Sequence, residues 1–438
     1  MLNLIYYMET YGCQMNLYDS AAVRTLLDQA GCRETEDPEQ AQLVVINSCA
    51  VRGHAEERVL GRVGELKSWK RRSPGRLMIL MGCVGQENGQ NLLDRFRQLD
   101  LVLGTERYRE IVPHLQSLLK TGARAAITGL EKAGPDLSII PRFEKQVGAF
   151  LAVMRGCDNF CSYCIVPYVR GREYSRTSGD ILGEIKCLAE RGIKEITLVG
   201  QNVNSYLSAG TDFPGLLAQA ADVPGLERLR FITSHPKDCG IKLLETMAGN
   251  QKICRHLHLP LQSGSDRVLA QMNRKYTLGQ YREIVSTARK LMPDLVLTSD
   301  LIAGFPGESE EDFKMTLDVM QDIRFDSAFT YKYSIRPGTK AAQMPGQLAE
   351  DVRQDRLARM ISLQQKISQE SNQADIGKTF IVLVEKAVPK RGQMMGRSPG
   401  NKPVAFDCAS GVSPGDIVKV TVNKATQSTL TGSRRNCP

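Results

Sequence analysis

The segment Arg155-Gly-Cys-Asp-Asn-Phe-Cys-Ser-Tyr-Cys164 stands directly behind an apolar run, Ala149–Met154, that predicts a β-strand. Its cysteines, Cys157-x3-Cys161-x2-Cys164, therefore fall in a loop at a strand end. Three thiolates packed this closely can wrap one metal centre, and thiolates are the ligands of cubane iron–sulfur clusters. Three ligands for four irons leave one iron open to an exogenous ligand. Structural zinc takes four protein ligands, and the next cysteine, Cys187, comes 23 residues later in a helical pattern. A redox pair at Cys161 and Cys164 is the other local alternative.

Downstream, apolar runs recur at strand–helix spacing: Glu195–Val199, Leu229–Ile232, Arg255–Leu259, Leu295–Leu301 and Phe325–Tyr333. With Ala149–Met154 they make six strand–helix units, closed by a long amphipathic pattern at Ala349–Gln373. Residues 147–375 are expected to form a curved parallel sheet or partial (β/α)6 barrel, because a full eight-fold barrel needs about 250 residues.

Upstream, residues 1–125 carry a second alternation. Leu4–Thr10, Leu43–Asn47, Leu77–Met81 and Leu101–Leu103 predict strands, and helical patterns near Asp19–Ala30, His54–Arg71 and Asn88–Arg97, and after Thr105, lie between or beyond them. That order implies a parallel sheet covered by helices. Cys13, Cys49 and Cys83, spaced 36 and 34 residues apart, each follow the carboxyl end of such a strand, in T-Y-G-C, I-N-S-C and L-M-G-C. Those ends share one edge of a parallel sheet, where ligands gather. Gly12 and Gly82 would let the chain turn tightly before two of the thiols. Three buried cysteines acting as small apolar residues would be the plainer account, but three identical placements favour a second three-thiolate cluster. Cys32, Cys187, Cys239, Cys254, Cys408 and Cys437 repeat no pattern and are read as structural.

Residues 126–146 read as a linker, from Gly134, Pro135 and Pro141 in Lys132–Phe143. In residues 376–438 the short β-rich pieces Thr379–Glu385, Pro403–Asp407, Asp416–Val422 and Ser428–Gly432 predict a small antiparallel β-barrel. Of the formal net charge of +9, residues 377–438 hold +7, from ten basic and three acidic residues. Concentrated positive charge favours a polyanion, nucleic acid first, over a merely solvated basic face. A chain 42% hydrophobic and 24% charged is neither collagenous nor disordered. It holds no apolar stretch near the roughly 20 residues of a membrane helix and no signal-peptide pattern, so a cytoplasmic location is expected. Twelve cysteines in a reducing compartment point to metal binding or catalysis rather than disulfides.

At Cys157-x3-Cys161-x2-Cys164 the chain resembles the radical S-adenosylmethionine (SAM) enzymes. Y-G-C-Q-M-N at 11–16, I-V-P-Y-V-R-G-R-E-Y-S-R at 165–176, G-Q-N-V-N at 200–204, T-S-H-P at 233–236, H-L-P-L-Q-S-G-S-D at 258–266 and G-F-P-G-E at 304–308 narrow the likeness to methylthiotransferases. The likeness covers nearly the whole chain and is nearest to MiaB-type tRNA methylthiotransferases. Relatives of other branches commonly carry Lys after the first cysteine, where this chain has Gln14.

The resemblance implies that Cys157, Cys161 and Cys164 hold a [4Fe–4S] cluster whose open iron chelates SAM, and that reductive cleavage yields a 5′-deoxyadenosyl radical. Cys13, Cys49 and Cys83 would hold a second [4Fe–4S] cluster that carries or delivers sulfur. One SAM methylates that sulfur and a second activates carbon 2 of N6-isopentenyl-adenosine beside the anticodon. Residues 376–438 would be a TRAM-like RNA-binding barrel. Tyr163, Gln201, Asn202, Ser234, Gln262 and Asp300 are expected SAM contacts. Gln14, Asn16, Arg170, Lys390 and Arg391 are expected substrate contacts, with loop backbone an equal alternative for Gln14 and Asn16 and the cofactor carboxylate or a solvated loop an alternative for Arg170, Arg172 and Arg176. Arg172, Arg176, Lys378, Lys386, Arg397, Lys402, Arg434 and Arg435 are further phosphate candidates. His256 and His258 read as a metal pair or a polar barrel interior, and Gly304–Glu308 as an adenosine contact or a plain turn. The expected partners are tRNA, an electron donor such as flavodoxin or ferredoxin, and a sulfur donor, around a monomer with no membrane attachment. Rival substrates are threonylcarbamoyl-adenosine in tRNA and an aspartate of a ribosomal protein. A non-catalytic iron–sulfur RNA-binding protein is the rival of another class.

Overall fold

Leu43–Ser48 is buried throughout and Leu77–Gly82 nearly so, as central strands of a sheet covered on both faces must be. The computed structural model describes residues 1–49, 53–130, 139, 141, 147–388, 392–407 and 411–434. Most of the expected linker lies outside these residues, as do Lys390, Arg391, Arg435, Cys408 and Cys437.

The first unit runs β1 (Ile5–Tyr11), α1 (Gln14–Gln29), β2 (Arg33–Glu34), β3 (Leu43–Ser48), α2 (Gly53–Arg71), β4 (Leu77–Gly82), α3 (Cys83–Arg95), β5 (Leu101–Leu103), α4 (Ile111–Thr121) and β6 (Ala125–Ile127). Its sheet has the order β2-β1-β3-β4-β5-β6, parallel throughout. Tyr11 pairs with Ser48 and Ser48 with Gly82, so the three cysteine-bearing turns leave the sheet at one level. Two helices begin earlier than their apolar periodicity indicates. α1 starts at Gln14 rather than Asp19, and α3 at Cys83, with a non-helical kink at Asn88 where the pattern had placed its start. Gln14–Leu17 alternates polar and apolar residues and Cys83–Gln86 carries a glycine, so neither first turn shows a helical period. The early starts make Cys13 the N-cap of α1 and Cys83 the first residue of α3.

β7 (Gly148–Ala152) opens the central unit. β8 (Met154–Arg155) pairs antiparallel with β9 (Tyr174–Ser175), and the cysteine loop and α5 (Val166–Arg170) lie between them. There follow α6 (Ser178–Glu190), β10 (Glu195–Val199), a hairpin of β11 (Leu207–Ser208) and β12 (Thr211–Asp212), α7 (Phe213–Ala221), β13 (Arg228–Phe231), α8 (Ile241–Gly249) and β14 (His256–His258). Then come α9 (Asp266–Gln271), α10 (Leu278–Leu291), β15 (Val296–Ala303), α11 (Glu310–Ile323), β16 (Ser327–Lys332) and α12 (Glu350–Gln373). The six main strands are parallel, as β7-β10-β13 and β14-β15-β16, joined by a Leu229–Ile253 bridge. β15 shows the curvature in its side chains. Leu297, Ser299, Leu301 and Ala303 are buried, while Thr298, Asp300 and Ile302 line the half-open concave face.

The last unit is a closed barrel of β17 (Thr379–Val388), β18 (Gln393–Arg397), β19 (Pro403–Asp407), β20 (Ile417–Ala425) and β21 (Leu430–Arg434). It differs from expectation in two ways. It has five strands, because Gln-Met-Met-Gly-Arg lacks the β-branched residues that mark a strand, and its β19–β21 seam is parallel. The barrel docks on the central unit through Arg228 to the Arg397 carbonyl (2.8 Å) and Arg230 to the Pro399 carbonyl (2.8 Å). Lys402 reaches Asp375 (2.7 Å) and Asp326 (3.3 Å) across the same seam. Lys402 is therefore a docking residue rather than a phosphate contact, and Arg397 is held by Glu385 at 3.2 Å. Among the described residues, no helix is long and apolar enough to cross a membrane.

Candidate functional site

Asn16 and Asn47 stitch the ends of β1 and β3 together. Asn16 Oδ1 accepts from the Cys13 backbone and thiol (both 3.3 Å), and its Nδ2 donates to Asn47 Oδ1 and the Ser48 carbonyl (both 3.0 Å). Asn47 Nδ2 returns a bond to the Asn16 carbonyl (2.9 Å). Asn16 is fully buried, and of its two expected roles, orienting the base or satisfying loop backbone, its bonds match the second. Gln14, on the first turn of α1, stays half-buried. Gly12 packs so tightly that an added Cβ would stand 2.6 Å from Cys49 Cβ.

The result is a thiol cluster. Cys49 hydrogen-bonds to both Cys13 and Cys83. Those bonds hold Cys13 and Cys83 down to about 6 against the opposing cost of burial, helped by the nearby Arg170 charge, while Cys49 is raised and keeps its proton. Placement at two helix N-termini also suits negative charge. Arg170 differs from its expected place at the RNA. It is 4% exposed, turned inward from α5, 3.1 Å from the Asp19 carboxylate, with its charge facing Cys83 and Cys13. Asp19 also binds buried Arg155. One carboxylate between two guanidinium groups leaves a surplus positive charge beside the thiols. Arg176 is likewise interior, 2.7 Å from buried Glu184, whereas exposed Arg172 pairs with Asp158 at 2.6 Å.

The second cysteine set is clamped by residues distant in sequence. Gln201 Oε1 accepts from the Gly156 N–H (2.7 Å), so it shapes the loop entrance. Ser162 bonds to the Met272 and Gln271 carbonyls (3.0 and 2.9 Å), Asn273 donates to the Phe160 carbonyl (2.9 Å), and Arg274 Nη1 donates to Cys161 Sγ (3.4 Å). Burial pushes Cys157 up to about 11 and Cys164 to about 12, with the neighbouring thiols adding to the rise.

Next to this loop, Asn202 Oδ1, Ser234 Oγ and Gln262 Oε1 are buried polar atoms without a hydrogen-bond partner. Such atoms cost about 1–3 kcal/mol each when left unpaired, so each is a candidate contact for a polar ligand. Tyr163 packs against the group containing Phe305 and Ile302, and Asp300 faces His258 at 3.5 Å. His256 and His258 both share Thr298 Oγ1 at 3.0 Å. Gly304–Glu308 is a stapled turn: Glu308 accepts from Gly304 N–H and from Arg356, both at 2.7 Å. On the barrel, Lys386, Lys419, Lys424 and Arg434 are exposed cations. Phe406 is fully buried and Phe380 packs against the same core, so neither is placed to stack on a base.

Sequence reading had missed Asp19, Asn47, Arg155 and Arg274. The first three flank the cysteine motifs and could have been suspected from position. Arg274 lies over a hundred residues from Cys161, and no local pattern marks it.

The chain matches the family models described as Uncharacterized protein family UPF0004 (residues 5–104), Radical SAM superfamily (151–320) and TRAM domain (373–433). It is 44% identical over 432 residues to a tRNA-2-methylthio-N(6)-dimethylallyladenosine synthase of Geotalea uraniireducens (strain Rf4), covering 97% of this chain and 98% of that protein. A protein of the same name from Geobacter sulfurreducens is 44% identical over 436 residues, covering 98% and 97%. Among solved structures, the radical S-adenosylmethionine methyltransferase TsrM from Kitasatospora setae matches with a TM-score of 0.60 over 78% of this chain and 77% of that one. At 14% identity, that likeness is one of fold.

Proposed function

This chain belongs to the tRNA-2-methylthio-N(6)-dimethylallyladenosine synthase family of radical SAM methylthiotransferases, and on that premise we propose that it places a methylthio group on carbon 2 of N6-isopentenyl-adenosine beside the anticodon of tRNA. Its radical SAM domain implies a [4Fe–4S] cluster and SAM. Cys157, Cys161 and Cys164 would hold the cluster. Asn202, Ser234 and Gln262 would turn their buried polar atoms to SAM, with Tyr163 and Asp300 on the same face and Gln201 shaping the loop. When bound, these groups supply the radical chemistry that an aromatic C–H, inert to acid–base catalysis, requires. Cys13, Cys49 and Cys83 would hold the second cluster and with it the sulfur.

The observation that carries this reading is Cys49 bonded to Cys13 and Cys83 at the edge of one sheet, with Arg170 arriving from the helix that follows the other cysteine loop. The protein's own side chains then divide the work. Arg274 offsets negative charge at Cys161, Arg170 does so at Cys83, and Asp19 with Arg155 fixes one site against the other. Cys13 packs with Ala152, Val199 and Ile232 at the strand ends of the central unit, so the first site closes against the second. Residues 1–125, 147–375 and 376–438 are the working units, and exposed barrel cations would meet tRNA phosphates. A low-potential electron donor, flavodoxin or ferredoxin, and a sulfur donor complete the partners of a cytoplasmic monomer.

Mass spectrometry of nucleosides tests the assignment. Incubating isopentenyl-adenosine tRNA with the anaerobically reconstituted protein, SAM and reductant should add a methylthio increment to that nucleoside. An increment only on threonylcarbamoyl-adenosine, or none, would overturn it.

A further inference from the structure

We propose that His258 is a positioning residue for SAM binding: it orients the Asp300 carboxylate, and Thr298 and His256 fix the ring tautomer that lets it do so. The proposal rests on the cofactor assignment above and adds the residues that hold one contact in place.

The four side chains share one face of the sheet. His256 and His258 stand two apart on β14, as Thr298 and Asp300 do on β15, and His258 pairs with Thr298 across the ladder. His256 is buried, whereas the Asp300 side chain is 26% exposed, so burial falls along the row toward Asp300. Asp300 adjoins Gln262. The Gln262 N–H donates to the Asp300 carbonyl (2.8 Å), and its Oε1 is one of the buried acceptors without a partner.

Proton counting decides the tautomers. Thr298 Oγ1 lies 3.0 Å from both His256 Nε2 and His258 Nδ1. A hydroxyl has one proton and a neutral imidazole one N–H, so Thr298 donates to one ring and accepts from the other. Burial first, then the Arg230 charge, holds His256 well below the usual histidine range, so its ring is neutral. If Thr298 accepted from His258, the bare Nε2 of that neutral ring would face the Asp300 carboxylate at 3.5 Å. The His256 proton would then sit on Nδ1, which is buried without a partner. Donating to His258 removes both conflicts. His256 Nε2–H donates to Thr298, Thr298 donates to His258 Nδ1, and His258 Nε2–H points at Asp300. A carboxylate held this way keeps lone pairs for hydroxyl and ammonium donors, both of which SAM carries. An acceptor placed in advance also loses less freedom on binding.

Two measurements test this. Long-range proton–nitrogen NMR spectra of the histidine-labelled full-length protein report which ring nitrogen carries the proton, with only five histidines to assign. His256 and His258 should both be protonated at Nε2, and a His258 protonated at Nδ1 overturns the proposal. Equilibrium dialysis then gives the SAM Kd of the reconstituted protein. Asp300→Asn should raise it about tenfold or more, the loss of a hydrogen bond to a charged group. His258→Asn, too short to reach Asp300, and Thr298→Val should each raise it roughly three- to tenfold, as coupled neighbours do, with kcat moving less than KM. His258→Gln, which restores an N–H at the reach of Nε2, and Thr298→Ser should recover most of the affinity. If wild type binds SAM and Asp300→Asn, His258→Asn and Thr298→Val bind it equally well, the row has no positioning role although the cofactor assignment stands. If wild type binds no SAM, the assignment fails and the proposal with it.

Discussion

Cys157, Cys161 and Cys164 sit within one eight-residue loop, whereas Cys13, Cys49 and Cys83 are gathered from three strand ends across 70 residues. The loop set needs only its own turn and the residues that clamp it. The strand-end set exists only when β1, β3 and β4 are in register. Their electrostatics differ in the same sense. Burial raises Cys157 and Cys164 to about 11 and 12, while Cys49 and Arg170 help hold Cys13 and Cys83 at about 6. The depressed Cys13 and Cys83 favour thiolates at neutral pH in the metal-free strand-end site, whereas the raised Cys157 and Cys164 would have to lose protons to hold the proposed cluster. The fold favours charge at one site in advance, and the other would gain it from the cluster proposed for it.

The strongest challenge to that contrast is to delete one set at a time. Cys49→Ala and Cys161→Ala should each abolish methylthiolation while leaving the iron and visible spectrum of the other site in place. Full activity in Cys49→Ala would remove the strand-end site from the chemistry. Next in size is the charge pivot. Asp19→Asn leaves Arg155 and Arg170 buried without their shared counter-charge and should cost about 3–5 kcal/mol in denaturant titration. Removing Asp158, which pairs with exposed Arg172, should change little.

A smaller loss should follow from strain. Gly82 has φ +96°, and a Cβ there would press on the Ser48 carbonyl. Gly82→Ala should therefore cost about 1–3 kcal/mol and lower iron at the strand-end site. Gly156→Ala, at φ +73° against the Arg172 carbonyl, should do the same at the loop. Equal iron loss at both sites from either substitution would blur the comparison.

The subtlest difference is in pH. Cys13 and Cys83 are depressed from an ordinary value of 9 to about 6, so in the metal-free protein they stabilise the fold above pH 9. That contribution falls away as pH drops from about 9 through about 6, because the unfolded chain binds more protons in this window. Cys157 and Cys164 are raised from 9, so their contribution turns unfavourable as pH climbs above 9. Thiolate absorbance should rise near pH 6 in the metal-free protein and be reduced in Cys83→Ser. A rise only above pH 9 would contradict the contrast.

Much of this was legible before any coordinates. The loop motif is local, since three ligands within eight residues need no knowledge of the rest of the chain. The strand-end set was legible because each cysteine follows an apolar run, and parallel order then places the run ends together. Gln393–Arg397 lacks any β-branched residue, and the first turns of α1 and α3 show no helical period in the sequence. Residue type misled most where charge is buried. Arg170 and Lys402 read as solvent-facing phosphate contacts because nothing nearby in sequence announces Asp19 or Asp375 as partners.

Which cysteines stand together as candidate sulfur ligands, and on which turns, is written in local spacing and alternation, so the chain alone determined it. Which arginine faces which thiol, and that Asn16 holds the cysteine turns, depend on strand register and on how separate units pack. Those are sums over contacts between residues far apart along the chain, and only the folded molecule brings them together.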